Sequence, residues 1–140
     1  MSETNRLGDI GELVVAARLA ELGYRVSIPF GHDSPYDLVV EVDGHLKKVQ
    51  VKSITPKNGC LPVKCTRVTN ITKGKQIRQS YTKNDFDYMI AYDAKSSQCY
   101  NVPIDLVHET EDTLYLRIDP TKNGQATNIR WARDYLLEGL

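Results

Sequence analysis

The sequence predicts an α/β or α+β fold built on a central mixed β-sheet, and three observations predict it. An apolar helical repeat opens the chain, a hairpin signal follows at Asp43-Gly44, and strand-like segments alternate with turns from there onward. The 140 residues are 41% apolar and 26% charged, which suits one domain spanning 1–140 whose core needs neither disulfide nor structural metal. No run reaches the length of a membrane span, and MSETNRLGDIGE lacks a signal peptide's basic start and apolar core. Cys60, Cys65 and Cys99 show no metal-ligand spacing and read as reduced, packed thiols of a cytosolic protein.

The first element is a helix from about Thr4 to Leu22. Leu7, Ile10, Leu13, Val14 and Ala17 recur at helical spacing, and Gly23 stands where a C′ glycine belongs. Apolar residues go nearly all the way round, which predicts cover on more than one side. Gly8 and Gly11 each cost about 1 kcal/mol of helix propensity against alanine, so something is expected to approach this helix closely. Glu12 has no basic residue three or four positions away to pair with.

Tyr24 to Ile28 reads as a short strand, and residues 29–35 as a loop into a hairpin over Tyr36–Ser53. Asp43-Gly44 accepts the positive φ values of a type I′ turn, which fixes the register. Val42 then faces His45, Val40 faces Lys47 and Asp37 faces Gln50. Side chains alternate along a strand, so Asp37, Val39, Glu41, Lys48, Gln50 and Lys52 share one face. Leu38, Val40, Val42, Val49 and Val51 share the other, which is the core face.

Cys60 to Thr69 reads as a third sheet strand, with Pro62 assigning it to an edge or bulge. Asn70 to Asn84 has no sustained period and reads as a loop. Phe86–Tyr92 and Gln98–Val102 suit a hairpin, Pro103 opens a helical turn, and Thr113–Ile118 alternates as a strand. Trp131, Tyr135 and Leu136 suggest a C-terminal helix packed on the sheet.

Formal net charge is zero but unevenly spread. The 41 residues from Gly44 to Asn84 hold ten Lys or Arg and no acid, leaving all 18 acids and eight basic residues to the other 99 positions. A basic block of this kind is the footprint of nucleic-acid contact. Its expected phosphate contacts are Lys57, Lys64, Arg67, Lys73, Lys75 and Lys83, with Gln76, Arg78 and Gln79 as base-edge readers.

Asp37, Gln50 and Lys52 on adjacent strands suit metal-assisted hydrolysis of a phosphodiester. A carboxylate and a second oxygen hold Mg²⁺, while an ammonium orients water or offsets developing charge. By spacing alone, the same trio also fits a solvated cross-strand ion pair.

Pro35-Tyr36-Asp37, then Gln50-Val51-Lys52-Ser53 after the hairpin, with Glu12 in GDIGE on the preceding helix, resembles the core of PD-(D/E)XK nucleases. The longer order GELVVAARLAELGYRVSIPFG, YDLVV, VQVKS, YTKNDFDYMIAYD, CYNVPID and KNGQATNIRWARDY resembles the branch encoded by group I introns, the homing endonucleases. The resemblance implies a restriction-endonuclease-like α/β core, with a mixed central β-sheet flanked by helices and a basic DNA-contacting insertion around residues 55–84. It implies Mg²⁺-dependent, site-specific cleavage of double-stranded DNA, with Mn²⁺ as a substitute ion. By position, Asp37 binds the metal, Gln50 fills the (D/E) place, Lys52 is the lysine, and Glu12 is a helix-borne acid supporting the metal or its waters. Two departures stand out. Proline sits one place early, and Gln50 offers an amide oxygen without charge.

One site per chain facing two strands predicts a homo-oligomer, a dimer or tetramer, in the cytoplasm of a prokaryotic or phage-infected cell. A Holliday-junction-resolvase-like nuclease and a silent DNA-binding module on a nuclease fold are the alternatives.

Overall fold

The computed structural model describes residues 2–31, 33–72, 74–121 and 129–140; Lys73, one of the expected phosphate contacts, and the tail segment 122–128 lie outside them. In chain order the elements are α1 (Glu3–Glu21), β1 (Arg25–Ser27), β2 (Leu38–Val42), β3 (His45–Ile54), β4 (Cys60–Lys64), β5 (Thr66–Thr72) and β6 (Lys75–Ser80). They continue with β7 (Tyr88–Asp93), β8 (Cys99–Val102), α2 (Ile104–Glu109), β9 (Thr113–Arg117) and a 3₁₀ turn at Ala132–Tyr135.

A five-stranded mixed sheet in the order β1-β2-β3-β7-β8 organises the chain, as the sequence predicts. Asp43 and Gly44 take φ of 51° and 79°, and the resulting register pairs Val42 with His45 and Val40 with Lys47. β3 then pairs in parallel with β7, and β7 turns back into β8. Buried Asp93 holds that last turn, its carboxylate accepting from Lys95 N–H, Ser96 N–H and Ser96 Oγ–H at 2.8–3.2 Å.

The two faces carry different cores. On one, Val15 and Leu19 of α1 pack on Leu38, Val40, Val49, Val51 and Ile90. On the other, Leu61, Val63, Leu114 and Leu116 of an antiparallel β4–β9 ribbon pack with Phe86, Met89, Tyr100, Val102 and α2's Val107. Ser2 caps α1 by accepting from Asn5 N–H, and Gly23 at φ 98° ends it.

Four sequence expectations are corrected. The segment Cys60–Thr69 is not one strand of the central sheet. It breaks at buried Cys65, whose N–H bonds Asp112 C=O, so β4 joins β9 while β5 joins β6. Residues 70–84 are not a loop throughout, because β6 closes a hairpin on β5 through Gly74 at φ 76°. Every residue of β6 is exposed, so neither face left an apolar period to detect. The C-terminal helix is only the 3₁₀ turn, with Trp131 bridged to Arg117. Finally, α1 is covered along one stripe, Gly11-Val15-Leu19, and leaves Ile10 and Leu13 exposed within this chain.

The close approach expected at α1 falls on Gly11 and not on Gly8. A Cβ at Gly11 would overlap Ser53 Oγ and lie 3.1 Å from Ser53 Cβ and 3.3 Å from Tyr92 Cδ2, whereas Gly8 has nothing within 4 Å. Gly11→Ala is therefore expected to destabilise the protein by about 1–3 kcal/mol through overpacking, despite alanine's better helix propensity. Adding Ser53→Gly should recover most of that loss. Urea unfolding of the single and double variants checks it.

Candidate active site

Asp37 stands one residue before β2, where main-chain pairing to β3 gives way to side-chain pairing. Its N–H donates to Val49 C=O at 2.8 Å, and its Oδ2 accepts from Val51 N–H at 2.8 Å. Asp87 mirrors it on the opposite side of β3. There Lys48 N–H donates to Asp87 Oδ2, and Asp87 N–H donates to Lys48 C=O, both at 2.8 Å. Two aspartates thus grip successive residues of the central strand and fix where each neighbour begins.

Glu12 reaches the same point from α1. Its carboxyl is close enough to share a proton with Asp37, and its pKa is pushed up to about 7 by burial, then by the charges of Asp37 and Asp9. Asp37 is also raised, chiefly by burial, against the opposing pull of the Val51 N–H and the Lys52 charge. Gly11 holds this arrangement, since seating α1 against Ser53 brings the next residue to the sheet end. Ser53 Oγ is itself buried without a hydrogen-bond partner among the described residues.

Lys52 lies on β3 and its pKa is lowered by burial, against the attraction of Asp37. Its ammonium donates to Tyr81 Oη at 2.8 Å. Tyr81 is buried, packs edge-on against Phe86 at 4.8 Å between ring centroids, and has its phenol pushed up to about 12, chiefly by burial. A neutral phenol orients the ammonium without cancelling its charge. Sequence reasoning missed Tyr81, and the pairing alternation that places Lys52 says nothing about a residue so far along the chain. Gln50 shares the face of Lys52, half-buried, and donates from its amide nitrogen to Val51 C=O at 3.3 Å. Its amide oxygen is not used in that bond.

Two clefts open on these residues. One, of about 690 Å³, is lined by the acids Asp9, Glu12 and Asp37 and by Ile28, Pro29, Phe30 and Tyr36. The second, of about 400 Å³, is lined by Lys52 and Tyr81 with Lys64, Thr66, Arg67 and Arg78. Three residues of the basic block are therefore brought to Lys52. Lys57 lies instead on the outer face of the β4–β9 ribbon with Tyr115 and Arg117. Lys75, Gln76, Gln79 and Lys83 are exposed. Strand alternation puts Gln76 and Arg78 on one face of β6 and Lys75 and Gln79 on the other, so the three expected base readers do not share a face.

The block also has an acid partner that its own composition conceals. Asp112, just before β9, lies 2.9 Å from Arg78 Nη1 and 3.6 Å from Lys64 Nζ.

Among the described residues no group of three His, Cys, Asp or Glu could hold a metal. A Mg²⁺ site does not require three, since that ion commonly takes one or two carboxylates and keeps several waters. Two carboxyls raised chiefly by burial, Glu12 further by the charge of Asp37, form with the amide oxygen of Gln50 a donor set of hard oxygens, and they fit such an ion.

Comparison with known proteins agrees with this geometry. The chain matches the PD-(D/E)XK endonuclease family over residues 2–138. It is 35% identical over 95 residues to Protein 5.3 of Escherichia phage T7, covering 64% of this chain and 72% of that protein. It superimposes on a bacterial homing endonuclease, I-Ssp6803I, with a TM-score of 0.79 and 28% identity, covering 96% of this chain and 89% of the other.

The raised carboxyl pKa values set a pH dependence for the metal-free protein. Between the ordinary carboxyl value of 4.5 and about 7, native Glu12 binds more proton than unfolded Glu12, so stability falls as pH rises through that window. Asp37 acts in the same direction. In EDTA, the melting temperature is expected to drop by several degrees from pH 5 to pH 8, and Glu12→Gln should flatten the profile.

Proposed function

Because the chain belongs to the PD-(D/E)XK endonuclease family, we propose that it is a Mg²⁺-dependent, site-specific nuclease hydrolysing phosphodiester bonds in double-stranded DNA. The observation that carries this reading is the coupling of Glu12, Asp37 and Lys52, from three segments of the chain, with Glu12 and Asp37 lining an acidic cleft and Lys52 a basic one. Among the described residues no helix is long and apolar enough to cross a membrane.

In this reading Asp37 and Glu12, with the amide oxygen of Gln50, hold Mg²⁺ or Mn²⁺. When bound, the ion polarises the phosphate and makes water a stronger nucleophile at neutral pH. Asp37 is fixed by Val51 N–H, so its remaining oxygen is presented without reorganisation. Lys52, held by Tyr81, sets a positive charge against the phosphate oxygens where negative charge builds. Lys64, Arg67 and Arg78 carry the DNA backbone away from the reacting phosphate, and Lys57, Lys75 and Lys83 extend that track. Gln76 and Arg78 read base edges from one face of β6, and Gln79 from the other. A homo-oligomer, a dimer or tetramer, supplies one site per strand, acting in the cytoplasm of a prokaryotic or phage-infected cell.

Cleavage of a randomised duplex library with Mg²⁺ and with EDTA tests the reading. Metal-dependent cuts at a restricted set of sequences are expected. Binding without cleavage would leave a silent DNA-binding module, and preference for a four-way junction would mark a structure-selective nuclease. Asp37→Ala should reduce cleavage at least a thousand-fold while DNA binding persists. Tyr81→Phe keeps the ring packed on Phe86 but removes the oxygen that accepts from Lys52. It should lower kcat roughly ten- to a hundred-fold with little change in KM, as measured by single-turnover and steady-state kinetics.

Asp112 supplies a separate test of the basic track. Asp112→Asn frees Lys64 and Arg78 from their shared acid, so duplex affinity should rise. The slope of log K against log salt, about −0.9 per neutralised phosphate, should steepen by roughly one to two units. Fluorescence anisotropy across a salt series reads both.

A further inference from the structure

Phe30 is the most exposed large apolar side chain among the described residues, at 106% of its reference area, and Ile28 two positions earlier is 70% exposed. Neither contributes to either core. A lone exposed apolar residue would need no account, but these two sit with Pro29 in a run, and the run lines the cleft that holds Glu12 and Asp37. Gly31 turns the chain immediately after it at φ 106°, a conformation that a side chain at that position would oppose.

The cleft is therefore lined by residues of two kinds: three acids, Asp9, Glu12 and Asp37, and the apolar run Ile28-Pro29-Phe30, together with Tyr36. A nucleotide is divided in the same way, into a phosphate that a carboxylate-held cation attracts and a base with a flat, weakly hydrated face. The basic cleft at Lys52 offers no such exposed ring, since its Tyr81 is buried and bonded to Lys52, and its Lys64, Arg67 and Arg78 suit backbone phosphates. The strand thus crosses from a surface that grips phosphates to one that offers an aromatic ring beside the reacting group.

We propose that Phe30 is a base-stacking residue. It packs on the base next to the phosphate held at Asp37 and partly unstacks that step of the duplex, with Ile28 covering the ring's inner edge. Aromatic and apolar wedges of this kind favour steps that unstack cheaply, so Phe30 biases the cut toward flexible pyrimidine–purine steps such as TA and CA. The inference rests on the nuclease reading above and adds to it a residue that selects the step next to the cut.

Phe30→Trp places a fluorescent ring at the position, read against the parent with its single Trp131. The probe is a short mixed-sequence duplex with Ca²⁺ in place of Mg²⁺, so that DNA binds without being cut. Saturable quenching of the added tryptophan is expected. In parallel, Phe30→Ala should melt with the parent, since the side chain is fully exposed. It should bind or cut roughly ten-fold less well and lose the pyrimidine–purine bias in library cleavage. If the parent binds and cuts DNA while the new tryptophan is unquenched and Phe30→Ala matches the parent, the stacking role is overturned and the nuclease reading stands. If the parent neither binds nor cuts DNA, the nuclease reading fails and takes this inference with it. A blue-shifted tryptophan without DNA, together with self-association lost in Phe30→Ala, would assign the ring to contact between copies and overturn the proposal.

Discussion

The carboxylate of Asp37, accepting from the N–H of Val51, is the constraint on which the candidate site depends. A hydrogen bond to a charged acceptor contributes roughly 1.5–3 kcal/mol, and here it does two jobs at once. It ends the β2–β3 ladder with a side chain where a backbone carbonyl would otherwise sit. It also fixes the orientation of a carboxylate that Glu12 meets from α1 and on which the charge of Lys52 acts along the face they share. Asp87 performs the matching task for β7, which keeps the central strand in one register with both neighbours.

The charge balance of the site follows from this packing. Burial disfavours charge on Glu12, Asp37 and Lys52 alike, raising both carboxyls and lowering the ammonium. A site left in that state is poorly satisfied. On the proposed reading, a divalent ion would relieve the carboxyl pair by direct attraction and a phosphate would relieve the ammonium. Gln50 fits this balance, since a third carboxylate would add repulsion to a site where burial, and then the charges of Asp37 and Asp9, already lift Glu12 to about 7. Tyr81 fits it as well, because it holds the ammonium by a neutral oxygen.

The basic surface is regulated by geometry more than by composition. Asp112 shares its charge between Lys64 and Arg78, and hydrogen bonding from Thr113 and those two cations keeps its carboxyl below the usual range. These pairs are exposed, so each contributes little to stability, and a phosphate can compete for the same cations. They join β6 to the β4–β9 ribbon in the absence of DNA and leave Lys52 and Arg67, the other two cations of that cleft, outside the Asp112 pairs.

By itself the sequence determined the helix, its C-terminal glycine, the Asp43-Gly44 hairpin and the face shared by Asp37, Gln50 and Lys52. Each follows from a local rule, a 3.6 or 2 residue period or a turn that needs positive φ, acting over a few neighbours. The order of those pieces also identified the nuclease family. Only the tertiary structure decided the rest. The β5–β6 hairpin left no period because neither face of β6 is buried, and the strand expected over Cys60–Thr69 divided because Cys65 turns inward to pair with the Asp112 backbone. Tyr81 under Lys52, Asp112 between Lys64 and Arg78, and Phe30 in one cleft with the carboxylates all join residues from separate segments. No spacing rule reaches that far, because such contacts form only when the ribbon, the helix and the loop have packed on the two faces of one sheet.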